Sequence, residues 1–435
     1  MSRMFSALSD KDFRWFFTGY LTSKLGTAMA PVATAFAVLH TGAGPGGLGW
    51  VMAARIVPVV LLLLLGGVFA DRLGGRRVMI ASDLLRCGAQ AAFGLLVLSG
   101  HATVAAMIVT AVLSGIGEGV FSPSLQALIP RLIPEDRRTD ANALLSVAVS
   151  GAGVAGPAAG GLIAAVFGGA VGPASVLFAD AGSYAVSVVV LLRLAHVPQP
   201  EAGGQSTIIR DLRDGWDEFR SRTWLWLTTV QFALFNALVW APYLVLGPVV
   251  AAHRLGGAGA WGLVLAANSA GAIVGGLALL GRKPRRPFLI SVVATFGYVF
   301  TPALLASDLP LPFVCAAAAV TGAGGAVGGA LNNAVMQRRV PVGVLGRITA
   351  YQTIGAFALG PLGLVVAGPL GSAFGIGAFL GFGAVFQFVT VAVMLALPAV
   401  RRIDLEDADL SEGSDTVVET VIEPSPSAST PASGG

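Results

Sequence analysis

Six ionisable side chains stand inside long apolar stretches of this chain: Lys24, Arg55, Asp83, Arg86, Glu118 and Asp180. Three are cations, three are carboxylates, and all six belong to the first half of the sequence. A charge at the centre of a hydrocarbon layer costs about 2.5–3.5 kcal/mol on insertion scales, so each needs a partner or a water-lined cavity. Such a set can form ion pairs, attract a charged solute, or take up and release a proton at a carboxylate. Glu118 is the first proton-coupling candidate, with Asp83 and Asp180 behind it; Asp180, on a peripheral span, reads more readily as a packing or pairing residue. Asp83 and Arg86 are three apart and can pair on one helix face as a structural clasp. At about 1.5 Å per residue, Arg86 and Glu118 reach similar depth on consecutive antiparallel helices and are expected to face each other. Lys24 and Asp180 also match in depth, and Lys24 would attract anionic groups. Arg55 has no evident partner and is expected to reach outward to the interface. The second half offers uncharged polar groups instead, namely Gln231, Asn236, Asn268, Asn332, Asn333, Gln352 and Gln387.

The elements that must hold these residues are membrane helices. The chain is 55% hydrophobic, 11% charged and has a mean hydropathy of +0.79. Soluble domains carry roughly 25% charged residues, so a soluble enzyme of this length is excluded. Apolar stretches long enough to cross a bilayer occupy 13–39, 47–70, 78–99, 102–129, 140–167, 172–194, 224–251, 258–281, 287–306, 311–336, 347–374 and 376–399. The stretch before Asp12 is polar and is not expected to be a cleavable signal. Arginine and lysine crowd the amino terminus, every even-numbered loop and the end of the last span, whereas the opposite side carries only Arg254. The positive-inside rule then places both termini in the cytoplasm. Cys87 and Cys315 fall in separate spans, the four histidines lie at span ends, and neither a phosphate-binding glycine loop nor a metal-ligand cluster is present. No cofactor, metal, nucleic-acid partner or catalytic residue is expected.

Order along the chain suggests duplication. Span 5 carries Gly151, Gly156, Pro157, Gly160 and Gly161, and span 11 carries Gly355, Gly360, Pro361 and Gly363, at an offset of about 205 residues. Proline- and arginine-bearing segments after spans 4 and 10 repeat in the same order. The expected organisation is a six-helix bundle over 1–195, a cytoplasmic linker over 196–222, a second six-helix bundle over 223–400 and a disordered cytoplasmic tail over 401–435. Within the linker, apolar residues at 209, 212, 216 and 219 recur at helical spacing and predict an amphipathic interfacial helix.

Between spans 2 and 3 lies a charged turn with Gly67, Asp71, Arg72, Gly74, Arg76 and Arg77. Its spacing resembles motif A of the major facilitator superfamily of secondary transporters. The glycine and proline pattern of span 5 resembles motif C of that superfamily's drug:proton antiporters. Pro123 to Asn142 and the Asp180 to Tyr184 stretch resemble the macrolide-efflux and siderophore-exporter branch. The resemblance covers about residues 10–400. It implies an all-α integral membrane fold with twelve transmembrane helices in two pseudo-symmetric six-helix bundles. It also implies that Asp71 caps the end of span 11 at a cytoplasmic gate, that Arg72, Arg76 and Arg77 latch loops to acids such as Asp136, and that motif C seals the outer side. Two positions depart from the pattern. Ala111 stands where motif B has an arginine, for which Arg86 facing Glu118 would substitute, and the second-half copy of the charged turn lacks the aspartate.

These readings converge on a secondary transporter in the plasma membrane, working as a monomer by alternating access. The expected task is proton-coupled efflux of an amphipathic small molecule such as a drug, an antibiotic or a siderophore-like product. Phe232, Phe235, Asn236, Trp240, Asn332 and Asn333 are the candidates for its substrate cavity, while Trp224 and Trp226 are read as interface anchors. Uptake, lysophospholipid transport, or a non-transporting receptor or scaffold are the alternatives.

Overall fold

The computed structural model describes residues 8–194, 216, 219–282, 284–340 and 342–398; the side chains of 63–72, 342–347 and 350 lie outside this description. The tail 401–435 and most of the expected linker helix also lie outside it. Six helices form the first half: α1 (Lys11–His40), α2 (Gly44–Leu73), α3 (Gly75–Leu98), α4 (Val104–Leu132), α5 (Arg138–Phe167) and α6 (Val171–Arg193). The second half comprises α7 (Thr223–Leu255), α8 (Ala258–Leu279), α9 (Pro287–Ala306), α10 (Leu311–Arg339), α11 (Val342–Ala358, continued as Gly360–Phe374) and α12 (Ile376–Ala396). Among the described residues, 11 helical stretches are long and apolar enough to cross a membrane. The remaining long helix is α1, 30 residues in length, whose charged residues lower its hydropathy.

Local sequence explains the ends of several of these rods. Asp10 caps α1 by accepting from the backbone N–H groups of Asp12 and Phe13 at 2.9 and 3.0 Å, and the Thr103 hydroxyl accepts from Ala106 at the start of α4. The charged segment expected to be a turn is helical almost throughout. α2 runs through Asp71 and Arg72 to Leu73, and α3 starts at Gly75. The corner is the single residue Gly74, whose φ of 85° is one that side-chain-bearing residues rarely adopt.

Two spans are less regular than their hydropathy suggests. α7 contains π-helical turns at Asn236–Trp240 and Ala251–Leu255. α9 is interrupted by a 3₁₀ segment at Thr295–Val299. Neighbouring helices take up backbone groups there: Gln387 donates to the Thr295 carbonyl at 3.1 Å and the Thr321 hydroxyl to the Gly297 carbonyl at 2.7 Å. In hydrocarbon an unpaired carbonyl cannot turn to water, so such partners are what make the irregularity tolerable.

Packing repeats with the sequence. In the first half α2 packs on α4, α1 on α5 and α6, and α3 on α4 and α6. In the second half the same pairings recur six helices later: α8 on α10, α7 on α11 and α12, and α9 on α10 and α12. The halves meet where α2 packs on α11 and α5 on α8. One hydrophobic core, containing Val38, Leu48, Leu246, Trp261 and Leu364, spans both halves. It lies toward the end of the bundle remote from residues 8 and 398. Toward the end bearing those residues the cores separate: one contains Phe13, Phe16, Leu128 and Leu191, the other Trp224, Phe288, Val335 and Met394. The far end is thus fused across the halves, while the near end has a separate core for each.

The span-5 glycines contribute to that fusion. A methyl group at Gly156 or Gly160 would press on Ala28 or Met29 of α1, and one at Gly161 would overlap the Ala258 carbonyl and Gly262 of α8. Gly262 in turn lies against the Pro157 carbonyl, whereas Gly151 faces open space. In the second half Gly363 packs in the corresponding way, on the backbone of Ala237 in α7.

Candidate functional site

Glu118 of α4 and Arg55 of α2 form an ion pair. Arg55 Nε and Nη2 both donate to Glu118 Oε2, at 3.1 and 2.8 Å. This corrects two expectations, since Arg86 does not face Glu118 and Arg55 does not reach outward. The cause is close approach of the helices. A methyl group at Gly115 would overlap the Arg55 carbonyl oxygen, so this glycine lets α2 and α4 come near enough for their side chains to meet. The cation that faces Glu118 is therefore Arg55 rather than Arg86. Both Arg55 contacts fall on one carboxylate oxygen, and the two side chains are 24% and 36% exposed to a cavity.

Arg86 pairs with Asp83, three residues earlier on α3, and both are almost fully buried. The Arg86 guanidinium lies between the Phe121 and Tyr184 rings, 4.5 and 4.4 Å from their centroids. Cation–π contact of this kind supplements a buried ion pair. Asp180 is fully buried and accepts from Gln90 at 2.6 Å. Lys24 and Asp180 do not form an ion pair; the Lys24 ammonium lies 5.3 and 5.4 Å from the Tyr20 and Phe121 ring centroids. Matched depth did not place them on facing sides of their helices. Gln90 was a missed participant. It follows Asp83 and Arg86 at the i, i+3, i+7 spacing of one helix face, which is the signal that marks it.

Asp83–Arg86 thus has the character of a sealed clasp. Removing one partner of such a pair strands the other charge, at a cost of about 3–5 kcal/mol. Arg86→Ala is expected to lower folded yield and thermal stability in detergent far more than the paired change Asp83→Ala/Arg86→Ala. Equal loss in the single and double variants would show that the clasp is not what stabilises α3.

Three cavities share walls, and the middle one lies between the halves. The first, about 280 Å³, contains Arg55, Glu118 and Gln90. The second, about 560 Å³ and predominantly apolar, is lined by Asn236, Trp240 and Ile354 and shares Ile56, Val59 and Leu244 with the first. The third, about 280 Å³, contains Phe232, Asn332 and Asn333 and shares Thr353 and Phe357 with the second. Of the expected cavity residues, Phe235 is the exception. It is buried behind the wall with its ring 4.5 Å from that of Tyr298. The Asn236 amide nitrogen is engaged by the carbonyls of Phe232 and Ala356, tying α7 to α11.

At the charged corner, Arg76 donates to the carbonyls of Leu191 and Leu192 at 2.7 and 2.9 Å. It caps the last turn of α6 instead of latching an acid, and Asp136 lies near Arg137 at 3.8 Å. Gly67 lies within α2, and the side chains of Asp71 and Arg72 are outside the described residues. Arg77 follows Arg76 in the first turn of α3.

Twelve long helices among the described residues, in two pseudo-symmetric halves around a shared cavity, are the architecture of a major facilitator transporter of small molecules. The chain belongs to the transmembrane secretion effector family, whose sequence model matches residues 2–425. It is 29% identical over 401 residues to the multidrug efflux pump Tap of Mycolicibacterium fortuitum, covering 88% of this chain and 95% of that protein. Against Tap of Mycobacterium tuberculosis strain H37Rv the identity is also 29%, with 91% and 96% covered. Macrolide efflux protein A of Streptococcus pyogenes is 22% identical, with 89% and 92% covered. Among solved structures, the nucleoside transporter NupG (D323A mutant) superimposes with a TM-score of 0.71 at 13% identity, covering 88% of this chain and 99% of that one. An inward-facing, unoccupied bacterial homologue of the human lysosomal transporter Spinster gives 0.64 at 16% identity, with 91% and 97% covered. At such identities these structures bear on the fold alone.

Proposed function

We propose that this protein exports amphipathic small molecules across the plasma membrane in exchange for protons, by alternating access, with both termini in the cytoplasm. The observation that carries the reading is the Arg55–Glu118 pair on a cavity wall that continues into the apolar Trp240 lobe. One carboxylate oxygen holds the arginine and the other has no partner among the described residues. That geometry suits a group that exchanges an internal cation for a proton as access alternates. The separated cores at the end near residues 8 and 398 fit a cavity open to the side where loading would occur, and the likeness to efflux pumps supports the outward direction.

The test is probe movement into inverted membrane vesicles, using ethidium as a flat amphiphilic cation and an imposed proton gradient. Accumulation that collapses when an ionophore dissipates the gradient is the expected result. Equal movement with and without the gradient would remove proton exchange from the reading, and movement only in the opposite sense would remove export.

A further inference from the structure

We infer that the third cavity, in the second half, is a specificity subsite for an uncharged, multiply hydroxylated ring carried by the exported amphiphile. The residues that carry this are Gln231 of α7, Asn332 and Asn333 of α10, and Gln352 of α11, which all line a space of about 280 Å³. Their four side-chain amides make no hydrogen bond with any described residue. An amide within a membrane domain that has no protein partner must be met by water or by a ligand, because leaving it dry is costly. Four such groups from three helices around one space is an arrangement that core packing does not require.

The lining also fixes the chemical class of the ligand. Each free amide offers both a donor and an acceptor. The hydroxyls of Thr228, Ser291 and Thr295 donate to carbonyls of the protein, at 2.7 to 2.9 Å, and so keep only acceptor capacity toward the space. A hydroxyl substituent, which both donates and accepts, matches this mixture. An ionised carboxylate only accepts and an ammonium only donates, and among the described lining residues there is no Asp, Glu, Lys, Arg or His to balance either charge. Ring faces complete the setting: Phe232 and Phe357 both line the space and meet edge to face with centroids 6.5 Å apart. Phe357 and Thr353 also border the larger apolar lobe. A flat apolar body in that lobe could therefore carry its hydroxylated ring into the amide cavity. At the opposite extremity of the three lobes, the Arg55–Glu118 pair remains separate from this subsite.

The inference rests on the export reading only for the route by which the ring arrives. It is therefore tested by equilibrium binding, with no gradient present, to the full chain in nanodiscs, with empty nanodiscs as the blank. Three probes share one flat body: 4-methylumbelliferyl β-glucoside, 4-methylumbelliferyl β-glucuronide and 7-ethoxy-4-methylcoumarin. The glucoside is expected to bind about tenfold tighter than the ethoxy compound, the scale of two or so neutral hydrogen bonds. The glucuronide, which replaces one hydroxymethyl by a carboxylate, is expected to be about tenfold weaker than the glucoside, because the described lining offers it no compensating cation. In Asn333→Leu and Gln352→Leu, glucoside affinity should fall about fivefold, while the ethoxy compound should bind as before, which also reports an intact fold. A glucoside that binds no tighter than the ethoxy compound overturns the assignment. So does a glucuronide that equals the glucoside, or variants that weaken all three probes alike. The comparison of three probes on the unaltered chain decides the matter even if both variants misfold. Loss of proton coupling in the vesicle assay would leave this result standing.

Discussion

Replacing Glu118 by glutamine is expected to reduce gradient-driven accumulation of ethidium in inverted vesicles by about 100-fold, the scale of losing a positioned proton-transfer group. The amide keeps the size of the side chain and can still accept from Arg55, so the cavity wall is retained. On the proposed proton exchange, what it loses is the ability to alternate between a charged form that holds Arg55 and a neutral form that releases it. Exchange of labelled for unlabelled probe with no gradient should continue in the variant, because that exchange needs no net proton movement. Gradient-driven accumulation at the unaltered level would move coupling to Asp83 or Asp180, and loss of both activities would indicate a folding defect instead. The companion change Arg55→Gln leaves Glu118 without its cation. Because Glu118 is 36% exposed, the stability lost should lie near the ~1 kcal/mol of an exposed pair rather than the larger cost of a sealed one. Arg55→Gln should therefore fold and yet export poorly, which separates it from Arg86→Ala.

The second large effect is expected at the seam between the halves. Gly262 of α8 packs against the Pro157 carbonyl and Gly161 of α5, at the far end where the cores are fused. A valine there has no room unless the two helices separate. Each half retains its own core at the opposite end, so Gly262→Val should fold but close poorly at the seam. Transport should fall to background. With Cys87 and Cys315 replaced by serine and a reporter introduced as Ser114→Cys on the cavity wall, a membrane-impermeant maleimide applied from the far side should label the variant about tenfold faster than the parent. That ratio is what about 1.4 kcal/mol of shifted equilibrium between closed and open seam would produce. Unchanged labelling together with unchanged transport would mean that the contact does not govern access. Gly151→Ala is the control: a Cβ there meets nothing within 4 Å, and transport should be unaffected at this position.

Hydropathy determined the number and approximate limits of the membrane helices, because the cost of exposing polar groups to hydrocarbon acts on every residue of a span and depends little on its neighbours. The concentration of buried charge in the first half, the repeat between the halves and the family resemblance are likewise properties of residue order. So is the pairing of Asp83 with Arg86, since a three-residue separation on one helix brings side chains together wherever that helix packs. Partners on different helices were decided only by the tertiary structure. Depth follows from 1.5 Å per residue, but the rotation of one helix about its axis relative to another does not, and depth alone matched Glu118 with Arg86 and Lys24 with Asp180. It is the contact of α2 with α4 at Gly115 that brings Arg55 to Glu118, and Gln90 of α3 that reaches Asp180. The same limit applies to Phe235, whose aromatic character suggested a cavity wall but whose rotation on α7 turns it onto Tyr298. Which end of the bundle is fused is also a tertiary property. The sequence supplies small residues at the seam, but whether they meet depends on how two halves tilt against each other, and the proposed alternating access would require one chain to adopt both tilts.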